Sequence, residues 1–211
     1  MQKPLLLLVI LVSFFSCSSD ENKTSDSIHA IPLDAALILE SNNISTSIEE
    51  LMASSLWTTL STETSIKETQ SSLISFDSTL ATYSSHITST NPVFLSLHLT
   101  GAQVFNWLMI SSTENQEHKI QLLEIGIASF AKTQNHPYSD AIITEVKLDG
   151  TVLFYAKHNG LIMLSKEKIL VEDAIRQLKT PNNLTAKTDF AGVYNSANKK
   201  EDFNLYLNTK N

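Results

Sequence analysis

Two short turns between apolar runs constrain this chain more than any other feature. Residues 141–148, 151–158 and 161–165 are rich in Ile, Val, Leu, Phe and Tyr, and Asp149-Gly150 and Asn159-Gly160 separate them. A two-residue hairpin turn needs positive φ at its centre, which Asp-Gly and Asn-Gly supply at least cost. The spacing predicts a three-stranded antiparallel meander over about 141–165.

The flanking sequence alternates strands with helices. Residues 35–40 read as a short apolar strand after Ile31-Pro32, which opens the folded part. Ile44, Ile48, Leu51, Met52, Leu56 and Leu60 recur at helical spacing, with Ser47 and Glu50 as a capping box, so a helix is expected near 46–60. Ser65 and Glu68 form a second box before Ile66, Leu73, Phe76, Leu80, Tyr83 and Ile87, a narrow seam on one long helix that Asn91-Pro92 stops. Val93, Leu95, Leu97 and Leu99 then alternate with Phe94, Ser96, His98 and Thr100, the period of a half-buried strand. A mostly apolar strand is expected within 103–111.

Thr113 and Gln116 cap a third helix with Ile120, Leu123, Ile127 and Phe130 inward, and 133–140, with His136-Pro137, reads as a loop. After the meander, Ser165 caps a helix at about 166–178, with Val171, Ala174, Ile175 and Leu178 inward. Phe190 and Val193 dock a short helix, and 203–208 reads as a strand. The fold class is therefore α+β: an antiparallel sheet, including the meander, packed against several helices.

The N-terminus is an address. Residues 1–16 carry Lys3 and then an uncharged apolar run from Leu5 to Phe15, too short for the ~20 residues a membrane crossing needs. That is the pattern of a secretory signal. Cys17, the single cysteine, follows small Ser16. The stretch Phe14-Phe15-Ser16-Cys17 resembles the lipobox of bacterial lipoproteins. The resemblance implies cleavage before Cys17 and acylation of it, with palmitate-type chains. Two or more acyl chains, at ~0.8 kcal/mol per buried CH₂, make a stable anchor. An exported chain with one Cys has no internal disulfide to form, and lipidation gives the residue a use. Residues 17–28 are polar and read as a disordered tether, with 29–211 as one domain. The acidic residues after Cys17 resemble the export signal of surface lipoproteins in Bacteroidota. The expected location is the outer membrane, facing periplasm or cell surface.

The strings IPLDAALILESNN, SSLWTTL, NPVFLSLHLTG and LIMLSKEKILVEDAIRQL together resemble a family of Bacteroidota envelope lipoproteins that carry a domain of unknown function. The resemblance covers about residues 28–208 and implies no catalytic residue. Members of that family run longer, which implies a chain truncated at its C-terminus.

The chemistry search returns mostly negatives. A net charge of −7 argues against a nucleic-acid surface, whose affinity comes from basic charge. No G-x-S-x-G, H-E-x-x-H, P-loop or G-x-G-x-x-G is present. None of His29, His86, His98, His118, His136 and His158 stands at metal-ligand spacing from another. His98 and His158 fall on strands, His29 and His136 in loops. Glu49-Glu50 and Glu172-Asp173 are helix neighbours that point apart. Trp57 and Trp107 read as packing residues, with a sugar platform as the lesser reading. Ser27 and Ser78 match a short O-glycosylation pattern, and Asn43 and Asn183 head N-glycan sequons.

The reading that follows is a lipid-anchored, non-enzymatic binding or scaffolding module, held to the membrane by its N-terminal lipid, without cofactor, metal or nucleic acid. Its alternatives are an exported hydrolase without a recognisable motif, or an N-terminal fragment of a longer lipoprotein. Replacing Cys17 by Ser is expected to move the protein from the membrane to the soluble fraction. Intact mass spectrometry of native material should show acyl mass on a chain that starts at Cys17.

Overall fold

The computed structural model describes residues 26–60, 67, 70–71, 73–74, 92–102, 104–115, 120–121, 124, 131–148 and 150–208. The signal segment, Cys17, the capping box at Ser65 and Glu68, the seam residues Ile66, Phe76, Leu80, Tyr83 and Ile87, and Ser78, His86, Gln116, His118, Leu123, Ile127 and Phe130 lie outside the described residues.

Apolar strands joined by tight turns make one antiparallel sheet. We number the strands β1 Leu37–Ser41, β2 Val93–Gly101, β3 Val104–Ser112, β4 Lys132–Tyr138, β5 Ala141–Leu148, β6 Thr151–His158, β7 Leu161–Ser165 and β8 Phe203–Leu207. Their order is β4-β5-β6-β7-β3-β2-β1-β8, and every neighbouring pair is antiparallel. In the β6–β7 turn Asn159 and Gly160 take φ of 50° and 74°, and Gly150 in the β5–β6 turn takes 80°. Register carries β5 onto β6 (Ile143 opposite Ala156) and β6 onto β7 (Ala156 opposite Met163). β7 then returns to β3, with Leu108 opposite Ser165.

The helices whose bounds fall within the described residues are α1 Ile44–Ala53, α2 Ser55–Leu60, α3 Lys168–Gln177 and α4 Thr188–Ser196, with 3₁₀ turns at Ser27–Ala30 and Leu184–Ala186; residues 67, 70–71, 73–74, 120–121 and 124 are helical as well. They cover both faces of the sheet. One face (Ile38, Phe94, Leu108, Ile110, Ile143, Ala156, Met163) packs on the 3₁₀ turns, α3 and α4. The other (Leu37, Leu39, Val93, Leu95, Leu97, Trp107, Met109) packs on Ile44, Ile48, Leu51, Trp57 and Leu73.

Several local readings change. β2 is not half-buried: Val93 to His98 are all buried, because layers press on both sides. Residues 133–140 are not a loop but mostly β4, paired from Lys132–Lys147 to Tyr138–Ala141. The polar run with Pro137 looks loop-like because β4 is an outermost strand, where water satisfies one edge and a missing N–H costs little.

The helix expected at 46–60 is two helices. Ser54 is extended (φ −70°, ψ 151°), its Oγ donates to Leu51 O at 2.6 Å, and it accepts from Trp57 N at 3.1 Å. Ser47 is no cap. It is buried against Ser41 Oγ at 2.7 Å, and Asn43 caps α1 by accepting from Thr46 N. Ser165 also lies before its helix rather than at the cap; its Oγ donates to Trp107 O and accepts from Glu167 N. The polar N-terminal stretch ends earlier than expected. Asp26 accepts from Ile28 N, and Ile28 is wholly buried, so apolar burial pulls 27–28 into the domain. In α4, Phe190 packs on the core while Val193 stays exposed.

Gly150 has open space around the position of a Cβ, so Gly150→Ala meets only the left-handed conformational cost of about 1–2 kcal/mol. Gly192, inside α4, also has open space, and Gly192→Ala removes the glycine penalty of a helix interior, about 0.5–1 kcal/mol. Thermal melts should move in opposite directions for the two variants.

Candidate functional site

Glu40 is the one charged residue in β1, and the sheet buries it to 5% exposure. It faces the same side as Ile38, opposite Phe94 on β2 and Asn204 on β8. A carboxylate so placed needs partners, because an unpaired buried charge is very costly. The C-terminal elements supply them. Lys199, in the turn between α4 and β8, donates to Glu40 Oε1 at 2.9 Å and to Oε2 at 2.7 Å. The Tyr206 hydroxyl on β8 donates to Oε2 at 2.6 Å.

Aromatic rings close around this pair. Phe190 and Tyr194 stack on successive turns of α4 with centroids 5.9 Å apart, and Tyr206 tilts against both at 5.6 and 5.8 Å. Lys199 Nζ sits 3.5 Å from the Tyr194 ring centroid, where the ring's negative face attracts it. Burial, and then the Glu40 carboxylate, hold the Tyr206 hydroxyl well above its ordinary value of 10. Burial, and then the charges of Glu40 and Asp26, do the same to Tyr194.

The cluster forms one wall of a cleft of about 500 Å³, which Asp26, Asn42, Glu201 and Asn204 also line. Carboxylates outnumber ammonium groups there. Lys199 is committed to Glu40, so Asp26 and Glu201 give the cleft an excess of acceptors. Nothing local in the sequence marks this site, since Glu40 and Lys199 are 159 residues apart.

A second constellation has the atom order of a hydrolase triad. Ser96 Oγ lies 2.8 Å from His98 Nε2, and His98 Nδ1 lies 3.2 Å from Asp34 Oδ1. Ser96 and His98 are adjacent same-face positions of β2, and both are wholly buried. A nucleophile must come to about 3 Å from a substrate carbonyl. Ser96 instead lies under the 3₁₀-turn and α3 layer, with Leu108 O within 3.3 Å of its Oγ.

The other singled-out residues have local roles. His136 Nε2 is 2.8 Å from Glu145 Oε2, and Lys147 holds the other oxygen at 2.7 Å. Those contacts, Lys147 first, lower the Glu145 carboxyl below its usual range. His158 Nε2 is 3.7 Å from Asp140, whose carboxyl Lys179 lowers first by a hydrogen bond. His29 Nε2 is 2.9 Å from Thr185 Oγ1. Glu124 accepts from Tyr155 and Lys157; burial first, and then this carboxylate, raise Tyr155 to about 12.

Glu49 and Glu50 are exposed on α1, Glu172 pairs with Lys168 and Asp173 with Arg176. Both sequon asparagines are caps, Asn43 of α1 and Asn183 of the 3₁₀ turn at Leu184. Ser27, the described member of the O-glycosylation pair, is buried in the folded chain. Trp57 and Trp107 lie in the core layer on the α1 side and form no surface platform. Among the described residues no group of three or more His, Cys, Asp or Glu could hold a metal. No family model, curated protein or solved structure matches the chain.

The raised tyrosines carry a sign. A hydroxyl whose folded value exceeds its unfolded value of 10 favours the protonated fold. That stability is fully present below pH 10 and is lost as pH rises toward the folded value. Tyr206→Phe should cost about 1.5–3 kcal/mol at pH 7, as a hydrogen bond to a charged group does. It should also flatten the fall in melting temperature above pH 10, measured across a pH series.

Proposed function

We propose that this chain is a lipid-anchored cell-envelope lipoprotein of the Bacteroidota type, acylated at Cys17, whose folded domain is a non-enzymatic binding module. The observation that carries the binding reading is the cleft beside Glu40, Tyr194 and Lys199. It combines a concave surface, aromatic rings and a few convergent polar groups, the usual make-up of a small-ligand site. The acceptor excess at Asp26 and Glu201 suits a ligand rich in donors, an amine or a polyol. Asp26 lines the cleft and directly follows the N-terminal segment, so a tether from Cys17 would hold the site close to its membrane. Among the described residues no helix is long and apolar enough to cross a membrane, and the proposed attachment rests on the lipid alone.

The alternative of an exported hydrolase has the Ser96–His98–Asp34 alignment in its favour. Burial of Ser96 weighs against it. Labelling of Ser96 by a fluorophosphonate in the folded protein would establish that alternative.

The cleft is tested with spermidine and N,N′-diacetylchitobiose as probes, followed by amide chemical shifts. At least one probe is expected to move the signals of Asn42, Tyr194 and Glu201 saturably. Asn42→Trp, which fills the cleft, should weaken that binding at least tenfold. Shifts confined to other surfaces, or none with either probe, would remove the cleft as the binding site.

A further inference from the structure

The cleft beside Glu40 already holds an ammonium group, and the chain supplies it. Lys199 Nζ donates to Glu40 Oε1 at 2.9 Å, to Glu40 Oε2 at 2.7 Å and to the Tyr206 hydroxyl oxygen at 3.1 Å. A primary ammonium has three N–H donors, so these three acceptors satisfy it fully. The Tyr194 ring centroid lies 3.5 Å from the same nitrogen and that of Tyr206 lies 5.6 Å from it. Carboxylate, hydroxyl and ring faces together select a primary ammonium. A polyol in its place would leave buried Glu40 without a cation. A quaternary ammonium would suit the rings but has no N–H for the oxygens.

The receptor is buried and its occupant is not. The Glu40 side chain is 6% exposed and that of Lys199 is 43% exposed, because Lys199 belongs to a turn in which residues 198–202 are all exposed. Asn198, not Lys199, builds that turn. Its side-chain amide donates to Glu201 Oε1 at 2.7 Å, its Oδ1 accepts from Lys200 N at 3.1 Å, and its carbonyl accepts from Asn204 Nδ2 at 3.2 Å. The Lys199 ammonium can therefore leave without unmaking the turn.

Exchange also avoids the usual cost of opening a buried ion pair. Removing the cation alone would strand a carboxylate, whereas replacing one ammonium by another does not. Tyr206 keeps its own bond to Oε2 at 2.6 Å throughout. The incoming group has to outcompete a tethered lysine, whose effective concentration is roughly millimolar for a short flexible link. The rim supplies the advantage. Three carboxylates line the cleft, Asp26, Glu40 and Glu201, against the single ammonium of Lys199. That surplus of two negative charges matches a ligand with two positive ones. One ammonium sits on Glu40, and Asp26 and Glu201 are left for the second ammonium and for the released lysine.

We propose that the cleft binds a linear diamine, one primary ammonium of which displaces Lys199 from Glu40 and takes its place against the Tyr194 ring. Lys199 is then a built-in competitor that keeps Glu40 paired while the cleft is empty. The inference rests on the reading of this cleft as the binding site, and it names the ligand class and the gate.

The test titrates the full chain with cadaverine, with pentanediol of the same length and with pentamethonium, the bis-quaternary analogue. The readout is the Lys199 ε-methylene signal in a ¹H–¹³C spectrum, assigned by its loss in Lys199→Arg. The Tyr194 ring face holds those protons upfield, and release returns them to the position of a free lysine. Cadaverine is expected to produce that return saturably, together with amide shifts at Asn42, Tyr194 and Glu201. The diol and pentamethonium should bind at least tenfold more weakly and leave the lysine signal upfield.

Lys199→Met removes the competitor, so cadaverine should bind this variant at least tenfold more tightly than the wild type. If the variant fails to fold, the wild-type lysine signal still decides. Saturable shifts in the cleft with the lysine signal unmoved, equal binding of pentamethonium, or no tightening in folded Lys199→Met would overturn the exchange and leave the cleft as a binding site. A cleft that does not respond to cadaverine would overturn the proposal as well. If spermidine and N,N′-diacetylchitobiose also leave it silent, the binding reading falls with it.

Discussion

Burial of β1, β2 and β3 on both faces is the constraint on which the other parts depend. A strand covered on two sides has no water to satisfy a polar side chain, so each one must find its partner within the fold. The partners then hold distant segments in place. Glu40 secures the turn before β8 through Lys199 and Tyr206. Ser41 reaches α1 through Ser47, and His98 joins the loop before β1 through Asp34. Ser165 ties β7 to β3 through the Trp107 carbonyl. The cleft exists because one of these internal debts, that of Glu40, is settled at the margin of the molecule rather than in its middle.

Much of the fold is legible in the residues, where the signal is local. The turns at Gly150 and Asn159-Gly160 need positive φ whatever packs around them, and the alternating run from Val93 announces β2. Tertiary context decides the rest. Alternation in β2 reads as one wet face, yet Phe94, Ser96 and His98 are as buried as Val93, Leu95 and Leu97. Nothing in the order of residues says that a second layer will arrive. The polar run at Lys132–Tyr138 is a strand only because β5 offers it an edge. Serines placed as caps by spacing, Ser47 and Ser165, are claimed by buried neighbours, and Asn43 does the capping at α1.

The candidate site was not legible. Its members sit at positions 26, 40–42, 92 and 190–206, and sheet register together with the packing of α4 on the core brings them together. Glu40 at the end of an apolar strand is the sole local oddity, an acidic residue where the pattern calls for a hydrophobe. The Ser96–His98–Asp34 alignment has the same lesson in reverse. Two of its members are neighbours on one strand and the third is remote, and the geometry of catalysis appears without the access that catalysis needs.

Pairing of β1 with β8 has a consequence for how the molecule comes into being. β1 lies inside the sheet, yet one of its two partners is Phe203–Leu207, joined at Leu37–Leu207. A chain emerging from its N-terminus therefore displays one flank of a core strand until Phe203–Leu207 has been delivered. During that interval Glu40 has neither of its partners, and the half-made sheet has an open apolar border. Such long-range closure places the fold among slowly maturing topologies, in the millisecond-to-second range. A nascent chain of this kind gains from chaperone cover, and the segment from Lys199 to Leu207 acts as the clasp that closes the sheet on β1.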